Sequence, residues 1–202
     1  MAATSFFPLP PIGAWQLSGA HEGFEVARFA AGAASATGAT GAAGAMLRGT
    51  SVGVEGGGPW SFTYVIEVDP AWRVRRAAIE SGDGGRLEIE ADGAGAWRVN
   101  GARRPELDGC FDLDLEGSAV TNTLPVHRLA IGLGERAEAP AAYVRTHGLS
   151  IERLEQSYRR LPSGADHLVF EYEAPRFEYR AELRFALDGL VVDYPGIARR
   201  VA

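Results

Sequence analysis

The sequence predicts a mainly β domain built on an antiparallel sheet, and three observations carry that expectation: apolar and polar residues alternate, turn signals recur at short spacing, and the composition fits one core. The clearest alternation is FEYRAELRFAL, in which Phe177, Tyr179, Ala181, Leu183, Phe185 and Leu187 interleave with Glu178, Arg180, Glu182, Arg184 and Ala186. A period of two puts the first set on one face of a strand and the charges on the other, as in a sheet wet on one side. Asp188-Gly189 then reads as a two-residue hairpin signal, and LVVDYP as the returning strand, ended by Pro195.

The same signals run through the first half. Phe62, Tyr64, Ile66 and Val68 alternate up to Asp69-Pro70, and WRVRRAAIES leads into the turn GDGG. RLEIEA and AWRVN follow, separated by DGAG, and Asn100-Gly101 closes the second, which is meander spacing. AAYVRTH, SIERLEQSYRRL and DHLVFEYEA complete the strand set; the middle one also spaces Ile151, Leu154, Tyr158 and Leu161 as a helix would, and strand is preferred. MLRGTSV is a short strand between two Gly-rich stretches: residues 30–45, read as an Ala/Gly loop insertion, and GVEGGGP, read as a flexible connection. Four glycines within 30–45 argue against a helix there, at about 1 kcal/mol each. Neither stretch divides the chain, so residues 1–202 form one domain.

Charge and composition remove several classes of function. A net charge of −6 and a pI near 5.3 speak against a nucleic-acid partner. All 20 basic residues are Arg, so a lysine Schiff base, a P-loop lysine and a lysine general base are excluded. Cys110 is the sole cysteine, which rules out an internal disulfide and suits a reducing compartment. The first residues, MAATSFFPLPPIGAW, lack a basic region and a long apolar stretch, and no run of 18 apolar residues follows; the expectation is a cytoplasmic protein without an integral membrane segment.

Candidate sites compete with structural readings. GTSVG matches the nucleophile-elbow pattern at Ser51, but Gly-rich sequence and Pro59 follow where the elbow needs a helix. Asp112 and Asp114 stand two apart, so on a strand their carboxylates share a face about 7 Å apart, a spacing compatible with acid/base work on a sugar; partnering turn amides or Arg is the simpler role. A calcium site from Asp108, Asp112 and Asp114 lacks EF-hand spacing. His21, His127, His147 and His167 are too scattered for a metal motif, and no cofactor is expected. Arg73, Arg75 and Arg76 after Trp72 could hold an anionic head group or pair with acids on a neighbouring strand. VTNTLPVHRL mixes short polar residues with Pro125 and reads as a structured turn, with a polar cluster beside Arg128.

At these residues the chain resembles a known bacterial family, named for glycolipid binding and formerly catalogued as a domain of unknown function. Trp72-Arg73 after Asp69, GCFDLDLEGSAVTNTLPVHRLAIGLG, EQSYRRL and DGLVVDYPG carry the likeness in order, from His21-Glu22 to Arg200. Ser118, Ala119, Val120 and His127 depart from the family's usual residues, and the 30–45 stretch is an insertion. The resemblance implies a long curved antiparallel sheet forming an incomplete, half-open barrel, like that of periplasmic lipoprotein carriers, with little helix. It implies a non-enzymatic binding protein for a glycolipid or other amphipathic, lipid-like ligand held in a concave cavity. Membership of the motifs selects Trp72, Arg73, Asn122, Arg128, Gln156, Tyr158 and Tyr194 for the cavity mouth. Two alternatives stand beside it: a hydrolase of a glycoside or sugar ester using Asp112, Asp114 or Ser51, and a structural or interaction domain with a filled core.

Overall fold

The structure, a computed structural model, describes residues 6–32, 44–145 and 147–202. The centre of the Ala/Gly insertion, 33–43, lies outside them. The first half of the chain forms β1 (Ile12–Leu17), β2 (Glu22–Ala31), β3 (Ala45–Glu55), β4 (Gly58–Val68), β5 (Val74–Ser81), β6 (Arg86–Ala91), β7 (Trp97–Val99) and β8 (Ala102–Arg103). The second adds β9 (Asp112–Leu115), α1 (Thr123–Leu129), β10 (Arg136–Glu138), β11 (Ala141–Val144), β12 (Ile151–Leu154), β13 (Ser157–Leu161), β14 (His167–Ala174), β15 (Tyr179–Ala186), β16 (Val191–Tyr194) and β17 (Ala198–Arg200). Fourteen strands make one antiparallel sheet in the order β10-β13-β14-β15-β16-β17-β1-β2-β3-β4-β5-β6-β7-β8. The sheet does not close, and the C-terminal β17 pairs with β1 at its middle, Trp15 opposite Arg200. The expected incomplete barrel is what the chain builds.

Its concave side is not empty. β9, β11 and β12 form a separate three-stranded sheet, with β9 parallel to β11, and together with α1 they plug the wall. Wall residues such as Trp15, Phe62, Ile79, Phe170 and Phe185 share one buried cluster with Leu113, Val120, Leu124 and Val144 of the plug. The aromatic wall that an acyl chain would use is therefore spent largely on the chain's own plug.

Local chemistry explains where the elements depart from expectation. GVEGGGP is no flexible connection: Gly56 and Gly57, at φ +57° and +85°, make a two-residue hairpin whose positive φ values match the twist of the flanking strands. Ser51 is thus inside a regular strand, β3, rather than before a loop. The strand expected from Phe177 starts at Tyr179, because Pro175–Phe177 form a 3-10 turn closed by Glu178 at φ +50°, leaving Phe177 exposed. At Asp188-Gly189 the loop is longer than two residues, with the Ala186 amide donating to the Leu190 carbonyl and a bulge at Arg184/Phe185. VTNTLPVHRL is not a turn but a 3-10 turn, Val120–Asn122, running into α1. Pro125 sits in the helix's first turn, where no intrahelical N–H is needed, and Ala130 at φ +44° ends it. The ambiguous Ile151–Leu161 segment is two strands, β12 and β13.

One glycine is required by packing. Gly49 of β3 lies opposite Tyr64 of β4, and a Cβ there would sit 2.3 Å from the Tyr64 ring and hydroxyl. Gly49→Ala is expected to lose about 1–3 kcal/mol of stability through this overlap. Gly56→Asn, at an open position where Asn tolerates positive φ, is expected to change little. Urea unfolding midpoints of the two variants check the contrast.

Candidate functional site

Where the plug meets the wall, a pocket of about 250 Å3 remains. Asp114, Glu116 and Asn122 face it from the plug, Tyr143 from β11, and Tyr172, Tyr179 and Tyr194 from the wall; Ser18, Ala20 and His21, in the β1–β2 turn, and exposed Phe177 line it as well. The rings of Tyr172, Tyr179 and Tyr194 meet with centroids 5.8–6.1 Å apart, and Tyr158 packs behind Tyr172 at 5.1 Å.

Four phenols at or behind the pocket each donate to an assigned acceptor. Tyr158 donates to Asn122 Oδ1 at 2.8 Å, Tyr172 to Gln156 Oε1 at 2.8 Å, Tyr143 to Glu116 at 3.0 Å, and Tyr179 to the Pro195 carbonyl at 2.7 Å. Burial raises the pKa of Tyr158, Tyr172 and Tyr194 well above 10, and the nearby Asp114 raises each further, so their hydroxyls stay protonated. With its oxygen engaged by Tyr158, Asn122 has its amide N–H groups to offer a ligand. Asp114 accepts from Thr121 at 2.9 Å, which leaves lone pairs for another donor.

The two neighbouring carboxylates of β9 have different fates. Asp112, fully buried, is gripped by Arg128 through two bonds, Nε to Oδ1 at 3.0 Å and Nη2 to Oδ2 at 2.6 Å. Burial still pushes its pKa up, against the pull of Arg128. Asp114 has no such cation, and burial pushes it up from 3.8 to about 6. A desolvated carboxylate in a pocket wall makes Asp114 a candidate functional group.

The motif residues divide. Asn122 and Tyr194 line the pocket, and Tyr158 and Gln156 stand directly behind it. Trp72, Arg73 and Arg128 do not join them. Trp72 stacks on His127 at 3.9 Å, Arg73 donates to the Gly93 carbonyl at 3.0 Å, and Arg73 and Arg128 both lie over the Phe111 ring. His127, between the rings of Trp72 and Phe6, has its pKa lowered by burial to about 4. Arg75 donates to the Ala91 carbonyl, so Arg73 and Arg75 of the cationic run after Trp72 are tied to neighbouring backbone. Ser51 is buried and donates to the Gly117 carbonyl at 2.7 Å. His21 and His147, distant in sequence, meet on Glu55 at 3.3 and 3.0 Å. Sequence reasoning missed Glu116, Tyr143, Tyr172 and Tyr179; the last two pair across β14 and β15 within two positions of each other's register, a clue visible in the alternation of EYEAPRFEYR.

Fold and site together define an open antiparallel half-barrel, plugged by its own chain, with a tyrosine-walled pocket at the edge of the plug. The chain belongs to the family described as "putative glycolipid-binding", whose model matches residues 14–200. It is similar to a crystallised DUF1089-family protein from Pseudomonas aeruginosa, with 30% identity and a TM-score of 0.67 over 87% of this chain and 92% of that one. A β-barrel-like protein of the DUF1849 domain from Brucella abortus shares the fold at 11% identity, with a TM-score of 0.51 over 97% of this chain and 96% of that one. No curated relative matches. Among the described residues, no helix is long and apolar enough to cross a membrane.

The raised pKa of Asp114 has a measurable sign. The folded state holds this proton more tightly than the unfolded chain, so the contribution is fully present below about pH 4 and is lost as pH rises through about 6. Asp114→Asn is expected to gain stability relative to the parent chain between pH 4 and 7, on the order of 2 kcal/mol. Paired urea titrations across that range test it; a difference that stays flat with pH would refute the assignment.

Proposed function

We propose that this pocket binds the hydroxyl-rich head group of an amphipathic, glycolipid-like ligand and holds it without chemistry. The observation that carries the reading is the pairing of tyrosine rings, packed edge to face or tilted against one another, with Asp114, Asn122 and Glu116 in one small pocket. Ring faces cover the C–H face of a sugar, while carboxylate and carboxamide groups exchange hydrogen bonds with its hydroxyls. At about 250 Å3 the pocket falls below the usual range of about 300 to 1,000 Å3 for drug-sized ligands, so it suits a head group and not a whole lipid. The tail would leave past Phe177, whose exposed ring edges the opening. The family description points the same way.

A catalytic reading has one supporting observation, the Asp114 carboxyl with its pKa near 6. Its proposed partners are otherwise engaged, Asp112 by Arg128 and Ser51 by the Gly117 carbonyl. Binding without turnover is therefore expected.

Octyl glucoside, glucose and octanoate serve as probes in calorimetric titration and thermal melts. The glucoside is expected to bind and raise Tm, with Tyr194→Ala and Asn122→Ala each weakening it about tenfold. 4-Nitrophenyl glucoside should release no nitrophenol. No glucoside binding by the parent chain, or binding that both variants leave unchanged, would sink the reading.

A further inference from the structure

We propose that the outer face of β2 and β3 is a docking surface for a bilayer containing anionic phospholipid, an activity separate from the pocket on the other side of the sheet. The face is the reverse of what an open sheet normally shows. β2 turns Glu25, Ala27 and Phe29 inward and Phe24, Val26 and Arg28 outward, and β3 turns Val52 and Val54 the same way. Phe24 lies directly opposite Val52, with Val26 and Val54 flanking them. These four are 55%, 43%, 43% and 50% exposed, and Ile12 on β1 adds a fifth at 41%. Single exposed apolar residues are ordinary, but a contiguous set on the solvent side of adjacent strands marks an interaction surface.

The charge beside the patch selects the partner. Arg28 and Arg48 stand opposite each other on the same outer face, a like-charge pair that weakens a sheet. Most arginines here pair with carboxylates, yet among the described residues neither Arg28 nor Arg48 has one within ion-pair distance. Among the described residues, Arg48 donates only to the Met46 sulfur, at 3.2 Å. Glu22, opposite Val54, and Glu67, diagonal to Arg48 on β4, share the face without an ion pair to either guanidinium among the described residues, so the Arg28–Arg48 end beside exposed Phe and Val is the local complement to phosphate above acyl chains. A second copy fits worse, since a two-fold contact over this patch would gather four guanidinium groups. The β1–β2 turn, which lines the pocket, leads within a few residues to Phe24, so docking would bring the pocket rim near the lipid surface.

Flotation of the full chain with phosphatidylcholine vesicles, with and without phosphatidylglycerol, tests the proposal. Binding is expected only with the anionic lipid and should weaken as salt rises. Arg28→Glu with Arg48→Glu should reduce it about thirtyfold, and Phe24→Ser with Val52→Ser about tenfold. Circular dichroism and melting curves verify that each double variant stays folded, and octyl glucoside binding should persist in both. No affinity for the anionic vesicles, or affinity untouched by both variants, overturns the proposal. So does a concentration-dependent dimer in sedimentation that Phe24→Ser with Val52→Ser abolishes. Loss of glucoside binding by the parent chain would count against the pocket reading alone.

Discussion

The arrangement inside the wall depends on one buried carboxylate, Glu25. Fully shielded from solvent, it accepts from the Tyr64 hydroxyl at 2.8 Å, the Ser118 hydroxyl, and the amides of Ala119 and Val120 at 2.7 and 3.3 Å. Burial pushes its pKa up while these donors pull it down. Two partners are backbone N–H groups at the start of a 3-10 turn, which would otherwise be orphaned in the core. Ser51, opposite Glu25 on β3, takes the Gly117 carbonyl one residue earlier. Three adjacent wall strands thus fix the plug at Gly117–Val120, and removing the carboxylate would strand several donors at once.

From that clamp the pocket follows in both directions along the chain. Asp114 lies just before the fixed segment and Asn122 just after it, so both are held at the same margin of the plug. Asp112 and Arg128 lock the base of β9 against α1, and Arg128 and Arg73 close on Phe111. A small ligand gains most when the groups it meets are already oriented, which is what four phenols with assigned acceptors supply. Asp114, like Glu25, is desolvated without a cation, but where Glu25 accepts from four donors Asp114 takes the Thr121 hydroxyl and faces the pocket.

Alternation made the wall legible: strand after strand in Phe62–Val99 and His167–Tyr194 follows from period two and turn residues. Elements that break a simple period were not. Asn122 to Leu129 reads as a turn because Pro125 and short polar residues mask a helix so brief that tertiary packing, not propensity, sustains it. GVEGGGP looks flexible because composition does not reveal that two glycines share a positive-φ turn. The site was half legible. Motif order named Asn122, Gln156, Tyr158 and Tyr194, but order cannot separate residues at the pocket from Trp72 and Arg73, between wall strands β4 and β5, and Arg128, on α1, which lie away from it. Nor could spacing foresee that the concave face would be filled, because a wall that packs on a plug and a wall that encloses a cavity have the same alternating strands.

The parity of β2 links the clamp to the outer surface. Side chains of a regular strand alternate between its faces, so a one-residue slip of β2 would exchange the two. Hydrophobicity alone favours the slipped arrangement, with Phe24 and Val26 inside and Glu25 in water. The chain adopts the other parity because Glu25, facing in, satisfies the Ser118 hydroxyl and two plug amides that nothing else nearby would satisfy, while Ala27 and Phe29 still pack the core. Phe24, Val26 and Arg28 must then face solvent opposite Val52, Thr50 and Arg48. The constraint that holds the pocket in shape is thus also the one that exposes an apolar, cationic face on the reverse of the same strands.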